Sequence, residues 1–237
     1  MNRNHFFVTG TDTGVGKTVV SLLLMRALFA SGHTPFYFKP VQTGCRTVHD
    51  ADSDALFVYG HCAQLADCDP ARSVGLLYQA PKAPLFAARD AGTTVDTEAL
   101  CAMLHDISNA HEHVVFEGAG GALVPITEHM FMTDLMAATD ARTIVAARAG
   151  LGTINHTLLT LESLSRRNLD VAGVVMVQSP QAVTPEAMVV ENIEAVERIS
   201  GVPVLCVVPP LTDFMHDGEE AVQALGRALL TGGIRHP

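Results

Sequence analysis

The chain has 237 residues, a net charge of −10 at neutral pH and an apolar fraction of 48%. That fraction is ample for a sizeable core, and no apolar run reaches the length of a bilayer span. The acidic balance argues against broad binding to nucleic acid or anionic membrane.

The first element is expected over residues 5–9, where HFFVT packs aromatic and β-branched residues into a short buried strand. Residues 10–18, GTDTGVGKT, follow it with three glycines and then lysine and threonine. The common phosphate-binding loop has four residues between its first glycine and the Gly-Lys pair; here five separate Gly10 from Gly16. Residues 18–32 carry apolar side chains at helical spacing and stop at Gly32, a glycine suited to a helix end. A strand, a glycine-rich turn and a helix present backbone N–H groups and a helix N-terminus to a polyphosphate. Lys17 adds a point charge near the β- and γ-phosphates, and the Thr18 hydroxyl reaches Mg²⁺. An ordinary glycine turn into a core helix would not need Gly-Lys-Thr at the junction.

Further strands are expected at 34–40, 113–121, 142–150, 171–177 and 202–209, and helices at 96–110, 153–167, 185–200 and 217–230. This alternation implies right-handed βαβ units. The expected fold is α/β: a mostly parallel sheet of the phosphate-loop NTPase type with helices on both faces, one domain over 1–237. In such a sheet ligands lie beyond the carboxyl ends of the strands, and there the sequence places KPVQTG (39–44), EGAGG (117–121) and AGLGTINH (149–156). Taken singly, Lys39 fits a surface lysine, Glu117 a turn cap and the glycines tight turns. Together they point to one ligand edge. Asp54 starts a helix with Asp50 and Asp52 nearby; N-capping and metal binding both suit such a cluster. His111 and His113 flank a strand start as polar edge residues. Cys45, Cys62, Cys68, Cys101 and Cys206 form no CxxC pair or metal-ligand spacing, as expected for reduced thiols in a cytoplasmic protein without a leader peptide.

FVTGTDTGVGKT, KPVQTG, SDAL, EGAGG and GLGTINH, in this order from residue 7 to 156, resemble the dethiobiotin synthetase family. That family's phosphate loop carries the same extra residue, and a weaker resemblance runs through VVPPL (207–211). The resemblance implies an ATP- and Mg²⁺-dependent ligase that carboxylates 7,8-diaminononanoate with CO₂ and closes its ureido ring. Gly14, Val15, Gly16, Lys17, Thr18 and Val19 would hold the phosphates, with Gly118, Ala119 and Gly120 beside Glu117. Thr18, Asp54 and Glu117 would surround Mg²⁺, and Lys17 and Lys39 would be catalytic. Pro209, Pro210 and Leu211 would lie near the base, together with Gln178, which stands where the family commonly has an adenine-reading asparagine. Thr43 would bind the substrate. Gly152, Thr153 and Asn155 would bind its carboxylate from the other subunit of a homodimer. Family contacts are not carried over to APKAPL (80–85), and base selectivity stays open with Gln178. The runner-up is a partitioning or septum-positioning ATPase switch, although the early loop lacks that group's signature lysine and residues 229–237 show no basic or amphipathic surface. An amidation enzyme of cobalamin synthesis would need a further glutaminase domain.

Overall fold

The computed structural model describes residues 5–230; of the stretch 229–237, residues 231–237 lie outside them. The chain forms β1 (Phe6–Gly10), α1 (Lys17–Ala30), β2 (Phe36–Thr43), α2 (Asp54–His61), β3 (Val74–Tyr78), α3 (Pro84–Asp90) and α4 (Thr97–Ala110). It continues through β4 (Val114–Gly121), α5 (Met132–Thr139), β5 (Arg142–Arg148), α6 (Thr153–Ser165), β6 (Val171–Val177), α7 (Glu186–Ser200), β7 (Val204–Val208) and α8 (Glu219–Leu230). The seven strands make one sheet in the order β3-β2-β4-β1-β5-β6-β7. Every pairing in it is parallel.

A parallel sheet must bury both faces, and the alternation of side chains along each strand divides the core accordingly. Phe6 and Val8 of β1 join Val115 of β4 and Leu22, Leu23 and Leu28 of α1 in one layer, closed by Val222 and Leu225 of α8. Phe7 points to the other layer, with Val114, Phe116, Leu104 of α4, Leu135 of α5 and Leu161 of α6. β1 lies between β4 and β5, so the loop after it opens at the centre of the sheet's carboxyl edge.

Local chemistry sets the ends of the elements. Gly32 has φ +82°, its N–H donates to Phe29 O at 3.0 Å, and that of His33 donates to Leu28 O at 3.1 Å. These two bonds close α1 in a Schellman turn. β2 runs past Pro40 to Thr43 and so is longer than expected. Its pairing with β4 ends at Phe38, so the proline's missing N–H costs no bond on that side.

Candidate functional site

The loop after β1 turns back on itself around glycine. A Cβ at Gly10 would meet Val15 Cγ2 at 2.8 Å and Asp12 O at 2.9 Å, and Gly16 has φ +96°. Gly16 is the N-cap of α1 with no side-chain cap, so the first N–H groups of the helix face the loop's concavity. Lys17 folds over the loop and donates to Asp12 O at 3.0 Å. Burial, aided by the nearby charge of Lys39, lowers its pKa to about 8.

Beside the helix start, four side chains from four elements converge. The Thr18 hydroxyl lies 2.9 Å from Asp54 Oδ1 and 3.0 Å from Glu117 Oε1. Lys39 Nζ is 2.6 Å from Asp54 Oδ2 and 2.8 Å from Glu117 Oε1, and it also donates to Gly118 O at 3.1 Å. Glu117 is fully buried, and Tyr37 OH donates to its Oε2 at 3.0 Å. Burial works against a charge on Lys39, but Asp54 and Glu117 outweigh it and hold the ammonium above its ordinary pKa. Burial likewise opposes ionisation of Asp54, and Lys39 and Thr18 more than offset it, leaving the carboxyl below its ordinary value. Asp54 is not the cap of α2. Ser53 is, accepting from Leu56 N at 3.3 Å. The Asp54 N–H donates instead to Gln42 Oε1 at 3.1 Å, which aims the carboxylate at Thr18 and Lys39.

A family model described as an AAA domain matches residues 4–217. Over 172 residues the chain is 44% identical to the ATP-dependent dethiobiotin synthetase of Anaeromyxobacter sp. (strain K), covering 72% of this chain and 74% of that one. Over 216 residues it is 37% identical to the enzyme of the same name from Halalkalibacterium halodurans, covering 88% and 86%. The chain belongs to the dethiobiotin synthetase family. In the biotin biosynthesis bifunctional protein of Bordetella avium, the similar region (42% identity) takes up 39% of the length. Among solved structures, the MinC:MinD cell division protein complex of Aquifex aeolicus aligns with TM-score 0.60 at 15% identity, over 99% of this chain and 98% of that one. MinD of the same organism aligns with TM-score 0.58 at 14% identity, over 99% and 100%. These likenesses establish the fold and nothing further, so the septum-positioning reading is not favoured.

The remaining residues that resemblance to the dethiobiotin synthetases implied fall in three places. Thr43, Ala119 and Gly120 line a cavity of about 490 Å³ with Lys17, Lys39, Asp54 and Glu117. Across the loop, Gln178, Pro209 and Leu211 line a second cavity of about 680 Å³ with Gly14, Val15 and Gly16. Val19 borders both, whereas Pro210 lines neither. Gly152, Thr153 and Asn155 open α6 and also line neither cavity. Thr153 is buried with its hydroxyl 3.3 Å from that of Thr157, while Asn155 is exposed.

Sequence reasoning missed Tyr37, Gln42, Arg148 and Phe214. Tyr37 was within reach, since it stands two residues before Lys39 and so shares its face of β2. Arg148 ends β5 with Nη2 3.5 Å from Thr13 O, a cation over the phosphate loop. Phe214 borders both cavities and packs edge-on against Phe57, 4.9 Å between ring centres. No motif marks it, and only the path of the loop after β7 brings it there.

Proposed function

We propose that this chain carboxylates 7,8-diaminononanoate and closes its ureido ring, consuming ATP and releasing dethiobiotin, ADP and phosphate. One amine nitrogen takes up CO₂ and loses a proton, giving a carbamate. A carbamate oxygen attacks the γ-phosphorus of ATP and ADP leaves. The second amine attacks the carbonyl carbon of the mixed anhydride, expels phosphate and loses its proton. No protein nucleophile is needed, so catalysis is positioning and charge stabilisation.

The observation that carries this reading is the convergence of Lys39, Asp54 and Glu117 on the first residues of α1. The loop's N–H groups and Lys17 bind the polyphosphate. Lys39, held protonated by two carboxylates, orients the carbamate against the transferring phosphoryl, and Thr43 hydrogen-bonds the diamine. The hydroxyl of Thr18 and the carboxylates of Asp54 and Glu117 form a hard oxygen-donor set that fits Mg²⁺ and would hold it. When bound, Mg²⁺ supplies positive charge to the β- and γ-phosphate oxygens.

The enzyme is further inferred to be a single-domain cytoplasmic protein acting as a homodimer. Around the start of α6, Leu151 is 94% exposed, with Leu159 at 56% and Leu123 at 50%; such a patch suits a subunit interface. The carboxylate of the diamine would bind at Gly152, Thr153 and Asn155 of the other subunit. No helix among the described residues is long and apolar enough to cross a membrane.

Purified protein mixed with the diamine, bicarbonate and Mg·ATP should form dethiobiotin and ADP in equal amounts, with both absent when the diamine is omitted. Nucleotide hydrolysis indifferent to the diamine would overturn the ligase reading in favour of a nucleotide switch.

A further inference from the structure

The larger cavity has an unequal supply of hydrogen-bonding groups at its far end. Gln178 follows directly on β6, and its backbone N–H donates to Val208 O at 2.9 Å. Its side-chain Oε1 accepts from the backbone N–H of Thr184 at 3.2 Å. A backbone N–H only donates, so the amide atom facing it is the oxygen, and the side chain's orientation is thereby fixed. Nε2 is the end left over. It donates to no group among the described residues, and it belongs to a residue that lines the cavity.

The neighbouring acceptors are also engaged. Val208 O accepts from Gln178 N, Val177 O from Ala149 N and Ser179 O from Ala182 N. Arg148, on the same cavity, offers only donors. The walls between are apolar: Val177, Met188, Leu211 and Phe214. A planar base fits between such walls, and what remains to read its edge is a donor.

An amide that selects adenine works at both ends, accepting from the 6-amino group and donating to the adjacent ring nitrogen. We propose that Gln178 is a donor-presenting specificity residue, its oxygen tied to Thr184, so that the site does not favour 6-aminopurines and takes 6-oxopurine nucleoside triphosphates at least as well. The proposal rests on the nucleotide reading of this cavity. A 6-oxo group accepts from Nε2, whereas a 6-amino group meets Nε2 donor to donor and is left unsatisfied.

ATP and inosine triphosphate test this, because they carry an amino and an oxo group at the same position. Equilibrium titration of the full chain with each, in the presence of Mg²⁺ and without diamine, should give a Kd for inosine triphosphate equal to or below that for ATP. In Gln178→Glu one carboxylate oxygen keeps the Thr184 bond and the other can only accept. The ratio should then reverse in favour of ATP by about fivefold or more, the size of one well-made hydrogen bond. Any repulsion between the new carboxylate and the phosphates acts on both nucleotides alike and cancels in the ratio. Wild-type protein that binds ATP about tenfold tighter than inosine triphosphate overturns the donor assignment, as does a ratio unmoved by Gln178→Glu. Binding of neither nucleotide overturns the nucleotide reading of the cavity together with the proposal.

Discussion

Lys39 is 2% exposed, and its three partners are Asp54, Glu117 and the carbonyl of Gly118. Such a lysine is both a structural counter-ion and a fixed cation for chemistry, and the two roles separate experimentally. Lys39→Ala should lower kcat by about 10²-fold or more, as for loss of a preorganised electrostatic stabiliser. It should also reverse how stability depends on pH. In the wild type, the Asp54 carboxyl is held below its ordinary value of 3.8, so its contribution is complete above that pH and lost as pH falls through the depressed value. Without Lys39, two buried carboxylates face each other and their folded-state pKa values rise above those of the unfolded chain. The variant should therefore gain stability as pH is lowered from neutrality toward 4. Denaturant midpoints at several pH values check this, and equal slopes for the two proteins would contradict it. Lys39 and Glu117 were legible in the sequence because strand-end residues of a parallel sheet share one edge. Tyr37 and Gln42, which lock the pair in place, were not, because their roles lie in hydrogen bonds across 80 and 12 residues of chain.

The elements carrying the ligand edge are held by buried polar contacts between neighbours. Asn192 of α7 is 6% exposed and donates from Nδ2 to Ala149 O at 2.9 Å, which fixes the turn leading from β5 into α6. Asn192→Ala should lower unfolding stability by about 1–3 kcal/mol, the cost of leaving a buried acceptor without its partner. Chemical denaturation measures it, and a loss below about 0.5 kcal/mol would show that water replaces the amide. The expected helices and strands at 96–110, 142–150, 171–177 and 185–200 match α4, β5, β6 and α7 within two residues at each end. Their apolar periodicity is long enough to read. β3, α3 and α5 went unread for a shared reason: they have five, seven and eight residues, too few for a period to repeat. β3 is also half-buried throughout, as the outermost strand of the sheet, and contains Gly75. The sheet, not its own propensity, makes it a strand.

Across the whole molecule, the nucleotide and diamine regions are separated by the centre of the sheet. The two cavities lie on either side of the phosphate loop, while the start of α6 lines neither and carries the exposed Leu151 and Leu159. The family motif GLGTINH was legible in the sequence, but its distance from Lys39 within one chain was not, because order along a chain does not say which subunit completes a site. An isologous dimer resolves the separation, since its two-fold axis brings the α6 start of each subunit to the Lys39 cavity of the other. Asn155→Ala should then weaken diamine binding and leave Mg·ATP binding unchanged. Mixing equal amounts of the Lys39→Ala and Asn155→Ala proteins discriminates further. Each heterodimer has one site with both substitutions and one with neither. With free subunit exchange about half of the dimers are mixed, so activity should return to about a quarter of the wild-type value. A mixture no more active than the sum of its two components, after subunit exchange is verified by native mass spectrometry, would place both residues in one subunit's site and remove the shared-site arrangement.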